Sequence, residues 1–233
     1  IRIANAMDGV AGLTQKPVPP GATFEYDFEV PDAGTYWYHA HNRSWEQVAR
    51  GLYGALIVEE DEKSVARSSD VTLVLDDWVL DQQGRLDLSD LGSLGDWSHG
   101  GRLGNWLTVN GKSLPEIELK TGHYYRLRLI NACNARTLRL DTRALQAQVL
   151  GYDGQTLNSP EEPTETPLLL APAQRVDLLM HANKAMDYNL VEVSGEGSHS
   201  FATLKVTGNP SSGNMPRVLN TNRLPAPDLA TAR

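Results

Sequence analysis

The stretch Tyr36-Trp37-Tyr38-His39-Ala40-His41 decides how this chain is read. Its run of aromatic residues favours a β-strand. Residues i and i+2 of a strand project to one face, about 6.6 Å apart along it. His39 and His41 are therefore expected side by side. Two imidazoles so placed reach a single metal only with difficulty, but each can ligate one member of a metal pair. Neutral imidazole suits copper and zinc. The pair alone is weak evidence, because half-buried strands also hold unligated histidines.

Upstream, Thr23 to Val30 alternates, with Phe24, Tyr26, Phe28 and Val30 on one face and Thr23, Glu25, Asp27 and Glu29 on the other. That period predicts a half-buried strand. Pro31-Asp32-Ala33-Gly34 then makes a turn into the histidine strand, Thr35 to His41. Before all of this, Asp8-Gly9 and Pro19-Pro20-Gly21 mark turns. Downstream, Asn42 to Arg50 reads as a polar loop with at most one helical turn, and Gly51 to Val58 as a third, apolar strand.

A charged run from Glu59 to Ser69 reads as a linker, which puts a domain boundary near residue 65. Val71 to Leu75 opens the second part as a buried strand, and residues 81 to 105 are loop-like and glycine-rich. Leu107-Thr108-Val109 meets Asn110-Gly111, a hairpin signal. Further strands are expected at Glu116 to Lys120, His123 to Asn131, Thr137 to Asp141, Gln146 to Leu150, Arg175 to His181, Tyr188 to Val193 and Phe201 to Val206. Their spacing, and the lack of any long helical period, predict an all-β sandwich or Greek-key barrel. The proline-punctuated tail, 209–233, reads as a linker leading elsewhere.

Composition narrows the function. The net charge is −8, from 21 basic and 29 acidic side chains, with no basic cluster, so nucleic acid is not an expected partner. No stretch reaches the roughly 18 apolar residues of a membrane helix. A single cysteine, Cys133, rules out a disulfide within the chain, and free cysteine is most often a small buried hydrophobe. The start, Ile1-Arg2-Ile3, has neither methionine nor signal-peptide character, so the chain is expected to begin inside a longer protein.

The run Gly34-Thr35-Tyr36-Trp37-Tyr38-His39-Ala40-His41, followed by Gly51-Leu52-Tyr53-Gly54-Ala55-Leu56-Ile57-Val58, resembles the second copper-binding segment of the multicopper oxidases. Asp8-Gly9, Thr14-Gln15 and Pro19-Pro20-Gly21 resemble the stretch after that family's first copper segment, so Ile1 would follow a lost segment. Val109-Asn110-Gly111 and Arg126 to Ala132 resemble its middle domain. The resemblance implies two cupredoxin-like Greek-key β-sandwich or barrel domains, the first incomplete: 1–65, then 66–208, with 209–233 leading toward a third. It also implies copper. His39 and His41 match the histidines of the binuclear, type 3 pair within a trinuclear cluster that reduces dioxygen. Asp8 matches an acidic residue that relays protons beside that cluster; its plain alternative is a turn aspartate before glycine.

The departures are large. The His-Cys-His segment of the type 1 copper is absent, and the chain offers two of the eight cluster histidines. The chain alone is therefore expected to be inactive, and any copper it holds to be weakly bound. The full protein is expected to oxidise phenols, aromatic amines or Cu(I) with dioxygen, in the periplasm or outside the cell. The alternatives are a non-catalytic structural member of the same fold or a copper-trafficking protein. Two retained histidines argue against the first, and four dispersed methionines against the second. His99, His123, His181 and His199 lack a second ligand at metal spacing. Trp37 and its tyrosine neighbours read as packing, Glu46 as a solvated loop residue, and Asp76-Asp77 and Glu161-Glu162 as surface or turn residues. The reducing substrate and the oligomeric state are not legible.

Overall fold

A computed structural model describes residues 1–60, 69–97, 101–163, 166–194 and 197–209. Most of the linker and of the tail, and His99, lie outside them.

Strand β1 (Gly34–His39) pairs antiparallel with β2 (Tyr53–Val58) as a two-stranded sheet, with Tyr36 opposite Leu56 and His39 opposite Tyr53. Between them, α1 (Ser44–Gln47) runs into a 3-10 turn, Val48–Arg50, so the polar loop is more helical than expected. The second part holds two larger sheets. One has six strands: β3 (Asp70–Trp78), β4 (Trp106–Val109), β6 (Tyr124–Asn131), β8 (Gln148–Tyr152), β9 (Gln155–Glu161) and β11 (Arg175–His181), in the order β4-β3-β6-β11-β8-β9. The other has five: β5 (Glu116–Lys120), β7 (Leu138–Asp141), β10 (Leu168–Leu170), β12 (Asp187–Ser194) and β13 (Gly197–Thr207), in the order β10-β7-β12-β13-β5. The short α2 (Leu94–Trp97) interrupts the glycine-rich loop. The protein is all-β, and its sheets do not close: it is a sandwich rather than a barrel.

The core lies between the two larger sheets. Leu73, Leu75, Leu127, Leu129, Val176, Leu178 and Met180 from one, and Leu138, Leu140, Leu170, Leu190 and Leu204 from the other, form one buried cluster. Burying each such side chain contributes about 1.5–3 kcal/mol.

Three sequence expectations need correction. Thr23 to Val30 forms no strand. Its alternation survives as half-buried Phe24 and Phe28, but no described strand lies beside it, so its backbone has no ladder to join, and Tyr26 and Val30 stay exposed. Asn110 and Gly111 both take positive φ, 51° and 71°, as a hairpin turn requires, yet only Val109 and Lys112 pair across it. The ladder partner of β4 is β3 instead. Strands β9 and β10 were not expected. β9 is a polar edge strand containing Pro160, a residue tolerated where no second neighbour needs its N–H.

Candidate functional site

The outer face of the six-stranded sheet is buried but charged, and it anchors β1. Arg126 and Arg128 on β6 and Asp177 on β11 are all at most 5% exposed. Arg126 donates to Asp177 Oδ2 through Nη2 at 2.5 Å and to Glu60 Oε1 through Nη1 at 2.7 Å. Arg128 grips both oxygens of Asp70 at 2.6 Å. The hydroxyl of Thr35 joins the two halves: it accepts from Arg128 Nη1 at 2.7 Å and donates to Asp177 Oδ1 at 2.6 Å. Glu60, expected in the solvated linker, is thus locked against the sheet. Charges this deep persist because each has a partner; removing one partner typically costs about 3–5 kcal/mol.

Two glycines complete the anchor. A Cβ on Gly34 would come within 2.7 Å of the Gly154 carbonyl oxygen, and one on Gly154 within 2.5 Å of the Tyr36 ring. β1 therefore lies directly on the β8–β9 turn.

From that fixed root β1 runs outward. Trp37 is half-buried, whereas Tyr38, His39 and His41 are exposed. The strand ends at His39, but Ala40 N–H still donates to Leu52 O at 3.0 Å, so the backbone is held up to the residue before His41. The two imidazoles lie 6.3 Å apart, centroid to centroid, with their planes 21° from parallel. Near-parallel rings at that spacing do not converge on one ion; they can each serve one of two neighbouring ions. His39 Nδ1 lies 3.0 Å from Ala40 O. A carbonyl only accepts, so Nδ1 carries the proton and Nε2 presents its lone pair. A ligating histidine commonly uses its second nitrogen in this way. The donor set fits copper.

A cleft of about 350 Å³ opens beside His39, lined in part by Trp37, Trp45, Arg102 and Cys133. Glu46 does not turn toward the histidines; it pairs with Arg50 at 2.9 Å and Arg43 at 3.5 Å. Asp8 is exposed, and among the described residues it shares no hydrogen bond, ion pair or cavity with His39 or His41. His123 is half-buried, His181 stacks on Tyr124 with centroids 4.1 Å apart, and His199 is exposed on β13.

Asp76 and Asp77, expected at a surface or turn, lie at the end of β3, Asp76 buried and Asp77 half-buried. Asp76 Oδ2 accepts from Tyr53 Oη at 2.5 Å and Oδ1 from Asp77 N–H at 2.8 Å. Asp77 Oδ2 accepts from Arg136 Nε at 2.8 Å and Gly104 N–H at 2.6 Å, while its Oδ1 is buried. Ligand atoms of Asp76, Asp77 and Cys133 lie within 4.8 Å of one another. Burial pushes the Asp76 carboxyl up to about 7, against the opposing pull of the Tyr53 hydroxyl and the Asp77 N–H. Burial likewise pushes the Tyr53 phenol and the Cys133 thiol upward, so both stay neutral near pH 7. The sequence signal for this cluster was Asp76-Asp77-Trp78 ending an apolar strand: residues continuing a buried strand are themselves candidates for burial.

Two family profiles, each described as multicopper oxidase, match residues 1–63 and 69–209. Laccase-1 of Cryptococcus neoformans is 27% identical over 206 residues, covering 78% of this chain and 32% of that protein. The cell division protein FtsP of Salmonella typhimurium is 36% identical over 159 residues, 64% of this chain and 32% of that protein. A solved multi-copper oxidase from Pseudomonas thermotolerans superimposes with a TM-score of 0.86 at 34% identity, covering 100% of this chain and 55% of that one. The chain thus spans about a third of these curated relatives and about half of that solved one. With a match running through both parts of the chain, and a fold to go with it, the chain belongs to the multicopper oxidase family, an oxidoreductase family that implies a copper cofactor.

Proposed function

We propose that this chain is part of a copper-dependent oxidase that couples one-electron oxidation of a phenol, an aromatic amine or Cu(I) to reduction of dioxygen to water. Residues 1–65 would form the later part of a first cupredoxin domain, 66–208 a second, and 209–233 a link to a third. His39 and His41 would each hold one copper of a type 3 pair through an imidazole nitrogen, and copper there would supply electron transfer to oxygen. The observation that carries this reading is the geometry of the pair: two exposed, near-parallel imidazoles 6.3 Å apart, with His39 Nδ1 tied to Ala40 O. The chain's own part is to orient them, through the buried root of β1. Asp8, with a free carboxylate near the start of the chain, would deliver protons. The setting we infer is periplasmic or secreted, as for the bacterial copper oxidases that the sequence resembles.

The chain alone holds too few imidazoles to close such a cluster, so we expect it to be inactive by itself. A non-catalytic role is the competing reading, favoured by the likeness to FtsP; the retained histidine pair speaks against it. The test is oxygen uptake by the intact natural protein with a phenolic substrate. His39→Ala and His41→Ala should each abolish uptake, and Asp8→Asn should slow it by roughly 10²-fold or more. Unchanged uptake in both histidine variants would refute the assignment.

A further inference from the structure

The histidine pair is joined to the buried carboxylate cluster by aromatic side chains. His39 lies 4.6 Å from Trp37, centroid to centroid, and Trp37 lies 6.4 Å from Tyr53. Tyr53 donates to Asp76 at 2.5 Å. Packing alone accounts for Trp37 beside Tyr53. It does not account for a phenol aimed at a buried carboxylate that, among the described residues, has one other hydrogen-bond partner, its neighbour's N–H.

We propose that Trp37, Tyr53 and Asp76 form a relay that carries an oxidising equivalent from the histidine pair into the protein, with Asp76 taking the tyrosine proton. This rests on the reading that a one-electron oxidant, a high-potential metal centre, sits at His39 and His41. The oxidant gains one electron from Tyr53 by way of Trp37. The Tyr53 O–H bond breaks, its proton forms an O–H bond on Asp76 Oδ2, and a neutral phenoxyl radical remains beside a neutral carboxylic acid. A one-electron reductant reverses both transfers. The base is necessary because burial disfavours every charged product: a phenol that kept its proton would become a buried cation. A base within hydrogen-bond reach removes that barrier.

Asp76 can accept the proton only as its carboxylate, and its pKa lies near 7. The groups facing it are Tyr53 from β2, the adjacent Asp77, which Arg136 holds, and Cys133 beyond β6. Relay through Tyr53 should therefore quicken as pH rises through about 7.

The test needs no copper, so its failure is separable from failure of the metal assignment. A ruthenium(II) polypyridyl complex is coordinated to His39 or His41 of the 233-residue chain, in a Tyr38→Phe background that removes the exposed neighbouring phenol. A flash with persulfate converts it to ruthenium(III). The expected result is a phenoxyl radical in the electron paramagnetic resonance spectrum, lost in Tyr53→Phe and formed at least about tenfold more slowly in Trp37→Phe. The formation rate should rise across pH 7, and Asp76→Asn should flatten that rise while leaving the circular dichroism of the fold unchanged. A radical that survives Tyr53→Phe, no radical in the parent chain, or a pH-independent rate would each overturn the relay. If Asp76→Asn fails to fold, the tyrosine variant and the pH profile of the parent still decide.

Discussion

The six-stranded sheet buries side chains on both faces, with contrasting chemistry at their centres. Inside, Leu127, Leu129, Val176 and Leu178 are at most 1% exposed and meet only apolar neighbours. Outside, on alternate residues of the same strands, Arg126, Arg128 and Asp177 are at most 5% exposed and hydrogen-bond one another, Thr35, Asp70 and Glu60, beside a small apolar patch of Leu150 and Leu179. The inner face is tolerant, since apolar side chains of similar volume can replace one another at modest cost. The outer face is directional. Each donor fixes an acceptor at a set angle, and Thr35 sits where the two arginine systems join. One face therefore supplies stability, while the other sets where β1 lies and so where His39 and His41 point.

The sharpest way to break this contrast is Asp177→Ala. It leaves Arg126 short of its deepest partner and Thr35 without its acceptor, and about 3–5 kcal/mol of stability should be lost in urea unfolding. Leu129→Ala on the inner face should cost a comparable 2–5 kcal/mol, from lost transfer energy and a residual cavity. The two should differ in kind: the arginine face should lose copper affinity as well, because the histidine strand loses its anchor, whereas the leucine face should not. Next, Thr35→Val keeps the shape but removes the bridging hydroxyl, and should cost about 1–3 kcal/mol.

A pH effect follows. Asp76 is raised in the fold to about 7, whereas an unfolded aspartate titrates near 3.9. The folded state therefore binds more protons between those values, and the Asp76 contribution to stability falls as pH rises from about 4 to about 7. Asp76→Asn should remove that fall, read as the difference between the two proteins' pH–stability curves. The smallest expected effect is His39→Ala. An exposed side chain at a strand end should change stability by no more than about 0.5 kcal/mol, and the readout there is metal binding.

Much of this was legible in the sequence. The aromatic run located β1 and the spacing of turns located β5, β6 and β11; the strand expected to reach His41 ends at His39, with the backbone held on to Ala40. What was illegible depended on partners distant in the chain. Arg126-Leu127-Arg128-Leu129 alternates like a strand with one wet face, and only Glu60, Asp70 and Asp177 turn that face into an interior. Asp76 likewise needs Tyr53, and Asp77 needs Arg136, 59 residues on. The converse error has the same origin: Thr23 to Val30 carries a strand's alternation but has no described neighbour to pair with. Periodicity reports which side of a segment is apolar, not what lies against either side.

The most direct measurement is a Cu(II) titration of the chain followed by electron paramagnetic resonance, comparing it with His39→Ala, His41→Ala and, as a control, His181→Ala. Weak binding with nitrogen hyperfine structure is expected for the parent, reduced about tenfold or more by either of the first two substitutions and unaffected by the third. Equal copper binding in all four proteins would contradict the claim that the tip of β1 is a metal site.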